Sequence, residues 1–227
     1  HTEYSMLDGA ARVGDLMSEV KAQGMPAIAM TDHGNVFGAF DFYKAAKKAD
    51  VKPIIGIEAY VAPESRFDKK RVQWADGGED DVSGGGAYTH MTILAENNQG
   101  LANLFRLSSL ASLEGYYYKP RMDRELLSRY ADGLIATTGC PGGEIQTRLR
   151  MGNYREALRA ASDYRDIFGA TNFYLEVMDH DIDIENRVKA DLLKLGKELK
   201  LPLLATNDLH YVFHEDAPAH EALLCVQ

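Results

Sequence analysis

The stretch "AIAMTDHGN" (Ala27–Asn35) decides the fold. A short apolar run stops abruptly at an Asp-His pair and a glycine. The run is too short for a helix and fits a buried strand. Upstream, "ARVGDLMSEVKAQG" is amphipathic with a helical period and ends at Gly24, a favourable helix stop. Downstream, "FGAFDFYKAAKKAD" again spaces its apolar residues for a helix. Helix, short buried strand and helix, with polar residues gathered where the strand ends, is the unit of an α/β protein.

The pattern continues along the chain. "VKPIIGIEAYVA", "YTHMTILAEN", "GLIATTG", "NFYLEVMD" and "LPLLATND" read as further strands, making six with the first. Helices are read at "GLANLFRLSSLASLEG", "DRELLSRYAD", "GGEIQTRLRMG", "YREALRAASDYRDIFG" and "IENRVKADLLKLGKELK", and in the tail "HEDAPAHEALLCVQ". Residues 62–87, with "DGGEDDVSGGGA", read as a long loop. Strands separated by helices predict a parallel sheet, closed as a barrel or open and doubly wound. With 227 residues, 45% of them hydrophobic, the chain suffices for one core, and 1–227 is read as a single domain.

Bulk properties narrow the function. No apolar run approaches the roughly 20 residues that span a bilayer. Two cysteines, Cys140 and Cys225, make no disulfide framework, so a reduced, cytoplasmic setting is expected. A net charge of −9 argues against a broad basic surface for nucleic acid. It leaves a nuclease open, because carboxylates that hold cations count as negative in that sum.

Chemistry gathers at the strand ends. Asp32 and His33 close the first strand, Glu58 sits late in the second, Cys140 follows "LIATTG", and Asp208 and His210 follow "LLATN". A β/α barrel builds its active site at the carboxyl ends of its strands, and this favours the barrel over the open sheet. His90 falls near the beginning of its strand and requires that strand to be entered from a rim loop. His, Asp, Glu and Cys are the metal-binding side chains, and Asp208 and His210, two apart, face one side of an extended segment. Donors converging from separate strands suggest more than one divalent ion, with Zn²⁺ or Mn²⁺ suiting imidazole better than Mg²⁺. Singly, each has a plainer account: "TDHG" as a turn with a capping Asp, Cys140 as a buried apolar thiol. As a set they resist explanation by packing, since buried His and carboxylates are costly unless paired or metal-bound.

Taken together and in order, "HTEYSMLDGA", "AMTDHGN", "KPIIGIEAY", "YYYKPRMD", "TTGCPGGE" and "LLATNDLHY" resemble the polymerase and histidinol phosphatase (PHP) domain, in the form found in bacterial DNA polymerase III alpha subunits. The resemblance implies a distorted (β/α)7 TIM-like barrel with a centre of two or three divalent ions. It implies the ligands His1, Asp8, His33, Glu58, His90, Cys140, Asp208 and His210, with Glu58 bridging. The family pattern opens with His-x-His, of which only the second His corresponds to His1. The chain is therefore expected to be trimmed from a longer one, whose upstream residues supply a first strand and one more ligand. In some alpha subunits this centre is degenerate and the domain only structural.

With the ligand positions filled, the resemblance implies a 3′→5′ proofreading exonuclease, with Asp208, Glu58 and His33 carrying the chemistry. The alternatives are a metal-holding module that braces the polymerase and a small-molecule phosphatase. Implied partners are the primer 3′ end of DNA, the rest of the polymerase chain with its own Mg²⁺-dependent site, and replisome subunits such as the sliding clamp; no membrane is implied. Tyr117, Lys119 and Arg121 in "YYYKPRMD" either meet substrate or belong to a Tyr-rich segment packed against a barrel loop, and "SRFDKKR" (65–71) is either a DNA-backbone contact or a solvated loop. Asp32 is expected to orient His33 or cap the next helix, not to ligate. His180, His214 and His220 match no ligand position, and Cys225 is expected in the core.

Overall fold

The computed structural model describes residues 1–74 and 83–226. After a turn-rich segment, Val13–Ala22 forms α1, with Val13, Leu16, Met17 and Val20 buried at helical spacing. Strand β1 (Ala27–Met30) follows, then α2 (Ala39–Ala49), closed by Asp50 in the left-handed conformation. Strand β2 (Lys52–Val61) leads into the long loop. The part of that loop spanning 75–82 lies outside the described residues. Strand β3 (Thr89–Ala95), helix α3 (Asn98–Glu114), the two-residue strand β4 (Arg121–Met122) and α4 (Arg124–Tyr130) come next. Strand β5 (Leu134–Thr137), α5 (Glu144–Arg150), α6 (Tyr154–Phe168), β6 (Phe173–Val177), α7 (Asp183–Leu199), β7 (Leu203–Ala205) and α8 (Ala217–Leu224) complete the chain.

The strands form one curled sheet in the order β1-β2-β3-β5-β6-β7, with β4 paired on β2, a half-barrel flanked by helices. All six predicted strands are present. Strand β4 is a seventh, which two residues are too short to announce. The all-parallel expectation is corrected: β3 runs antiparallel to both β2 and β5. The reason is the connection. No α-helix is described between β2 and β3, so the chain re-enters the sheet from the rim where β2 ends and must run back. His90, at the start of β3, therefore lies at the same rim as the end of β2, opposite Tyr60.

The pleat sorts β2 into two faces. Ile57, Ala59 and Val61 point to the helices and join a core with Leu104, Leu107, Leu126 and Phe173. Glu58 and Tyr60 point the other way, into the curl. A second apolar cluster, including Leu16, Met17, Met30 and Phe42, seats α1 and α2 against β1. No helix among the described residues is long and apolar enough to cross a membrane. Cys225, expected in the core, is exposed. It sits just past α8, a helix with no buried residue.

Candidate metal centre

Glu58 is the hub. It is 2% exposed, and three imidazoles converge on its carboxylate. His1 Nε2 lies 3.2 Å from Oε2, while His33 Nδ1 and His90 Nδ1 lie 3.3 and 2.5 Å from Oε1. The backbone explains the convergence: His33 bridges to Glu58 as a parallel extension of the β1–β2 pair, and Gly143 bridges to His90. Cys140 Sγ is 3.3 Å from His90 Nδ1. Asp208 Oδ1 is 3.2 Å from His1 Nε2, Asp8 Oδ2 is 2.5 Å from His33 Nε2, and His210 Nε2 is 3.6 Å from the same Asp8 oxygen. All eight residues expected from the resemblance thus gather at one rim.

They group into three overlapping donor sets whose atoms lie within 4.8 Å of one another: His1, His33 and His210; Glu58, His90 and Cys140; and His1, Glu58 and Asp208. Two observations show that this donor set fits divalent cations. Glu58 Oε1 is pressed between His33 Nδ1 at 3.3 Å and His90 Nδ1 at 2.5 Å, and neither Oε1 nor His33 Nδ1, both buried, has a partner in hydrogen-bond geometry. Buried donor atoms crowded this closely without hydrogen-bond geometry are what a cation among them satisfies. The donors are also imidazole, carboxylate and one thiol, the mix that suits zinc and its neighbours.

The surroundings fix the imidazoles. Ser5 Oγ donates to Asp32 Oδ1 (2.7 Å) and accepts from the His33 amide (3.1 Å), leaving one acceptor position for His1 Nδ1–H at 3.0 Å. In neutral His1 the proton therefore sits on Nδ1, and the Nε2 lone pair faces Glu58 and Asp208. His210 Nδ1 lies 2.6 Å from the Asp208 carbonyl, which likewise turns its Nε2 inward. Asp208 has φ of +46°, a left-handed conformation sparsely populated by non-glycine residues.

The electrostatics describe a site short of positive charge. Burial pulls the His1 imidazolium pKa down, but Asp208 and Glu58 outweigh it and push it up to about 10. Burial works to raise Asp8 and Glu58, yet the neighbouring histidines hold both carboxyls well below their usual range. Burial and the nearby carboxylates push the Cys140 thiol up, a setting that a bound cation inverts.

Other expectations are corrected. Asp32 is wholly buried and neither orients His33 nor caps a helix. It accepts from the Thr2 amide (2.6 Å), from Thr2 Oγ1 and from Ser5 Oγ, and so anchors the segment carrying His1. Arg121, expected to meet phosphate, is wholly buried. Its guanidinium donates to the carbonyls of Gly115, Ala87, Arg66 and Asp68, so none of its polar edge faces solvent. Tyr117 packs on Tyr118 and on the Arg121 guanidinium. In "SRFDKKR", Arg66 is buried among Asp123, Glu114 and Glu125. Lys119 alone of the three expected contacts lines a cleft beside the donors.

Sequence reasoning missed three residues. Glu176, buried at the end of β6, accepts from the hydroxyls of Thr137 and Thr206, and burial raises its carboxyl. A glutamate inside the apolar run "FYLEV" was the available signal. His220 Nε2 lies 2.8 Å from the Asp8 carbonyl, and no sequence signal links residues 212 apart. Ser5 is a small polar residue in a turn, with no periodicity to mark it.

A family profile described as "PHP domain" matches residues 1–180. The chain is 62% identical to DNA polymerase III subunit alpha of Saccharopolyspora erythraea, 59% to that of Mycobacterium tuberculosis and 47% to that of Thermus aquaticus. Each alignment takes in 100% of this chain but only 20%, 19% and 18% of the relative, so the chain spans about a fifth of their length. Among solved structures, an amidohydrolase from Chromobacterium violaceum with bound sulfate and no metal aligns with a TM-score of 0.54 at 13% identity, covering 95% of this chain and 93% of that one. A candidate metal-dependent phosphoesterase from Bifidobacterium adolescentis aligns at 0.50, also at 13% identity, covering 89% and 84%. At such identities the likeness is one of fold. The profile match across most of the length, on a rim where the donors meet, makes this chain a member of the PHP domain family, matching a stretch of bacterial DNA polymerase III alpha subunits.

Proposed function

We propose that residues 1–227 form one domain of a DNA polymerase III alpha chain and act there as a metal-dependent 3′→5′ exonuclease. The observation that carries this reading is the overlap of three donor sets on Glu58 and His1, with Glu58 Oε1 and His33 Nδ1 buried, crowded by other donors and without a partner in hydrogen-bond geometry. In this reading His1, Asp8, His33, Glu58, His90, Cys140, Asp208 and His210 hold two or three divalent ions, Zn²⁺ or Mn²⁺ before Mg²⁺. Bound ions of this kind supply Lewis-acid chemistry: they acidify water near neutral pH and neutralise a scissile phosphodiester.

The protein's own contribution is positional. The buried Glu58 carboxylate offers two oxygens to neighbouring donor sets and bridges them. Ser5 and the Asp208 carbonyl keep the protons of His1 and His210 on the outer ring nitrogens. The left-handed Asp208 holds its carboxylate against His1, and the curl of the sheet keeps the donors from full solvation. DNA presenting a primer 3′ end is the substrate. The rest of the polymerase chain, with its own Mg²⁺ site, and through it the sliding clamp, are the partners, in the cytoplasm. A metal-braced module without hydrolysis is the competing reading.

The test is loss of the 3′-terminal nucleotide from a mismatched primer, without dNTPs, by the full-length polymerase and its Asp208→Asn variant. Wild type is expected to trim, with the variant slower by at least about 10²-fold. Equal trimming by both places the activity elsewhere. No trimming by a metal-loaded wild type sinks the exonuclease reading and leaves the bracing role.

A further inference from the structure

Beside the donors lies an open cleft of about 560 Å³, within the usual range for ligand sites. Its walls are aromatic and its rim apolar. Tyr60 and Tyr88 pack edge to face at 4.8 Å, and each also lies against a donor imidazole, His33 and His90 respectively. Tyr4 lines the cleft with Phe37 and Met6, which are 79% and 82% exposed. One cation, Lys119, lines it, with Nζ 5.6 Å from the centre of the Tyr60 ring.

This composition selects a class of ligand. Tracking a duplex backbone takes many cations, and this cleft supplies one in a chain of net charge −9. Stacking on aromatic faces needs no cation and tolerates any base, because every base has a π-face. A paired base hides that face within the duplex, whereas a frayed or mismatched terminal base presents it.

We infer that this cleft receives the unstacked 3′-terminal nucleotide of single-stranded DNA, with its base against Phe37 and Tyr88 and an adjoining phosphate on Lys119. The inference rests on the exonuclease reading and narrows it: discrimination against a paired end comes from whether the terminal base can leave the stack. Stacking held equally before and during reaction changes KM and leaves kcat.

The experiment uses the metal-loaded full-length polymerase and single-stranded oligonucleotides that end in a base or in an abasic sugar. Phe37→Ala is expected to raise KM for the base-bearing end about ten-fold, with kcat and the abasic substrate little changed. Phe67→Ala, an exposed aromatic away from the cleft, is expected to change neither. Lys119→Gln is expected to flatten the salt dependence of binding by about 0.7 in log K against log salt. An unchanged KM in Phe37→Ala, or equal KM for the two ends in wild type, overturns the inference.

A binding measurement separates this outcome from failure of the exonuclease reading. In the Asp208→Asn background, a 3′-terminal 2-aminopurine is expected to be quenched on binding, and quenching is expected to fall in Phe37→Ala. Quenching that depends on Phe37 supports the cleft even if no enzyme form trims DNA. Quenching indifferent to Phe37 refutes it even if trimming is robust.

Discussion

Asp32 shows how a buried carboxylate can matter to a site without touching a ligand in it. It collects the Thr2 amide and the hydroxyls of Thr2 and Ser5, and Ser5 in turn addresses both His1 and His33. Removing it leaves Ser5 free to rotate and His1 free to change tautomer. Asp32→Ala is expected to weaken metal affinity about 10- to 100-fold, the usual effect of losing an orienting partner, as read by competition with a chromophoric chelator. Unchanged affinity refutes this role. The sequence placed Asp32 at the right strand end but could not say where its oxygens pointed. Arg121 failed for a related reason. A Lys-Pro-Arg stretch reads as solvent-exposed charge, and only the fold supplies the four carbonyls that absorb the guanidinium.

Among the elements, Gly100 in the first turn of α3 sits against Gly133. A β-carbon at Gly100 would fall 1.7 Å from the Gly133 carbonyl oxygen. Gly100→Ala is therefore expected to push α3 off the turn before β5. The cost is about 2–3 kcal/mol, a Tm fall of about 5–10 °C in thermal unfolding. Between β6 and α7, Glu185 accepts from the His180 amide and lies 2.7 Å from His180 Nδ1. This partner raises the His180 pKa, against a smaller lowering by burial. A raised folded-state pKa contributes stability that is fully present below the ordinary histidine value and lost as pH rises through the raised one. The Tm advantage of wild type over His180→Gln is thus expected to be present at pH 5.5 and to shrink as pH is raised through and above neutrality. A difference that grows with pH would refute the assignment.

Long helices and apolar strands were legible because their periodicities are strong. The direction of β3 was not, since an antiparallel and a parallel strand share one hydrophobic pattern. The rim position of His90 carried the only hint. The two-residue β4 was invisible, because pairing with β2 and not composition defines it.

At the scale of the whole molecule, the donor rim draws on the first eight residues, on β1 through β3, on the turn after β5 and on the segment after β7. Removing the metal should therefore loosen distant parts of the chain together. Chelation is expected to reduce hydrogen-exchange protection around residues 1–9 and 206–210 while sparing α3 and β5. An occupied site at about 1,000 times its Kd contributes about 4 kcal/mol. Uniform loss of protection, or none, would contradict the placement of the site. Which donors gather at the rim was partly legible in the sequence, because His, Asp, Glu and Cys at successive strand ends are a compositional signal, while His1 and Asp8 were expected only from the resemblance. Its coupling was not: Ser5, Glu176 and His220 join it through contacts that no local pattern encodes.

His1 Nε2 lies 3.2 Å from Asp208 Oδ1, joining residues from opposite ends of the sequence. Read as kinetics, that contact dates the site. Contacts of such separation form late, after local helices and neighbouring strand pairs have shortened the effective loop. Most of the sheet can therefore form before the donors meet. A cation is then expected to meet an almost finished protein and to act as the clasp that closes it, so that metal uptake quickens with metal concentration while the rate of collapse does not change.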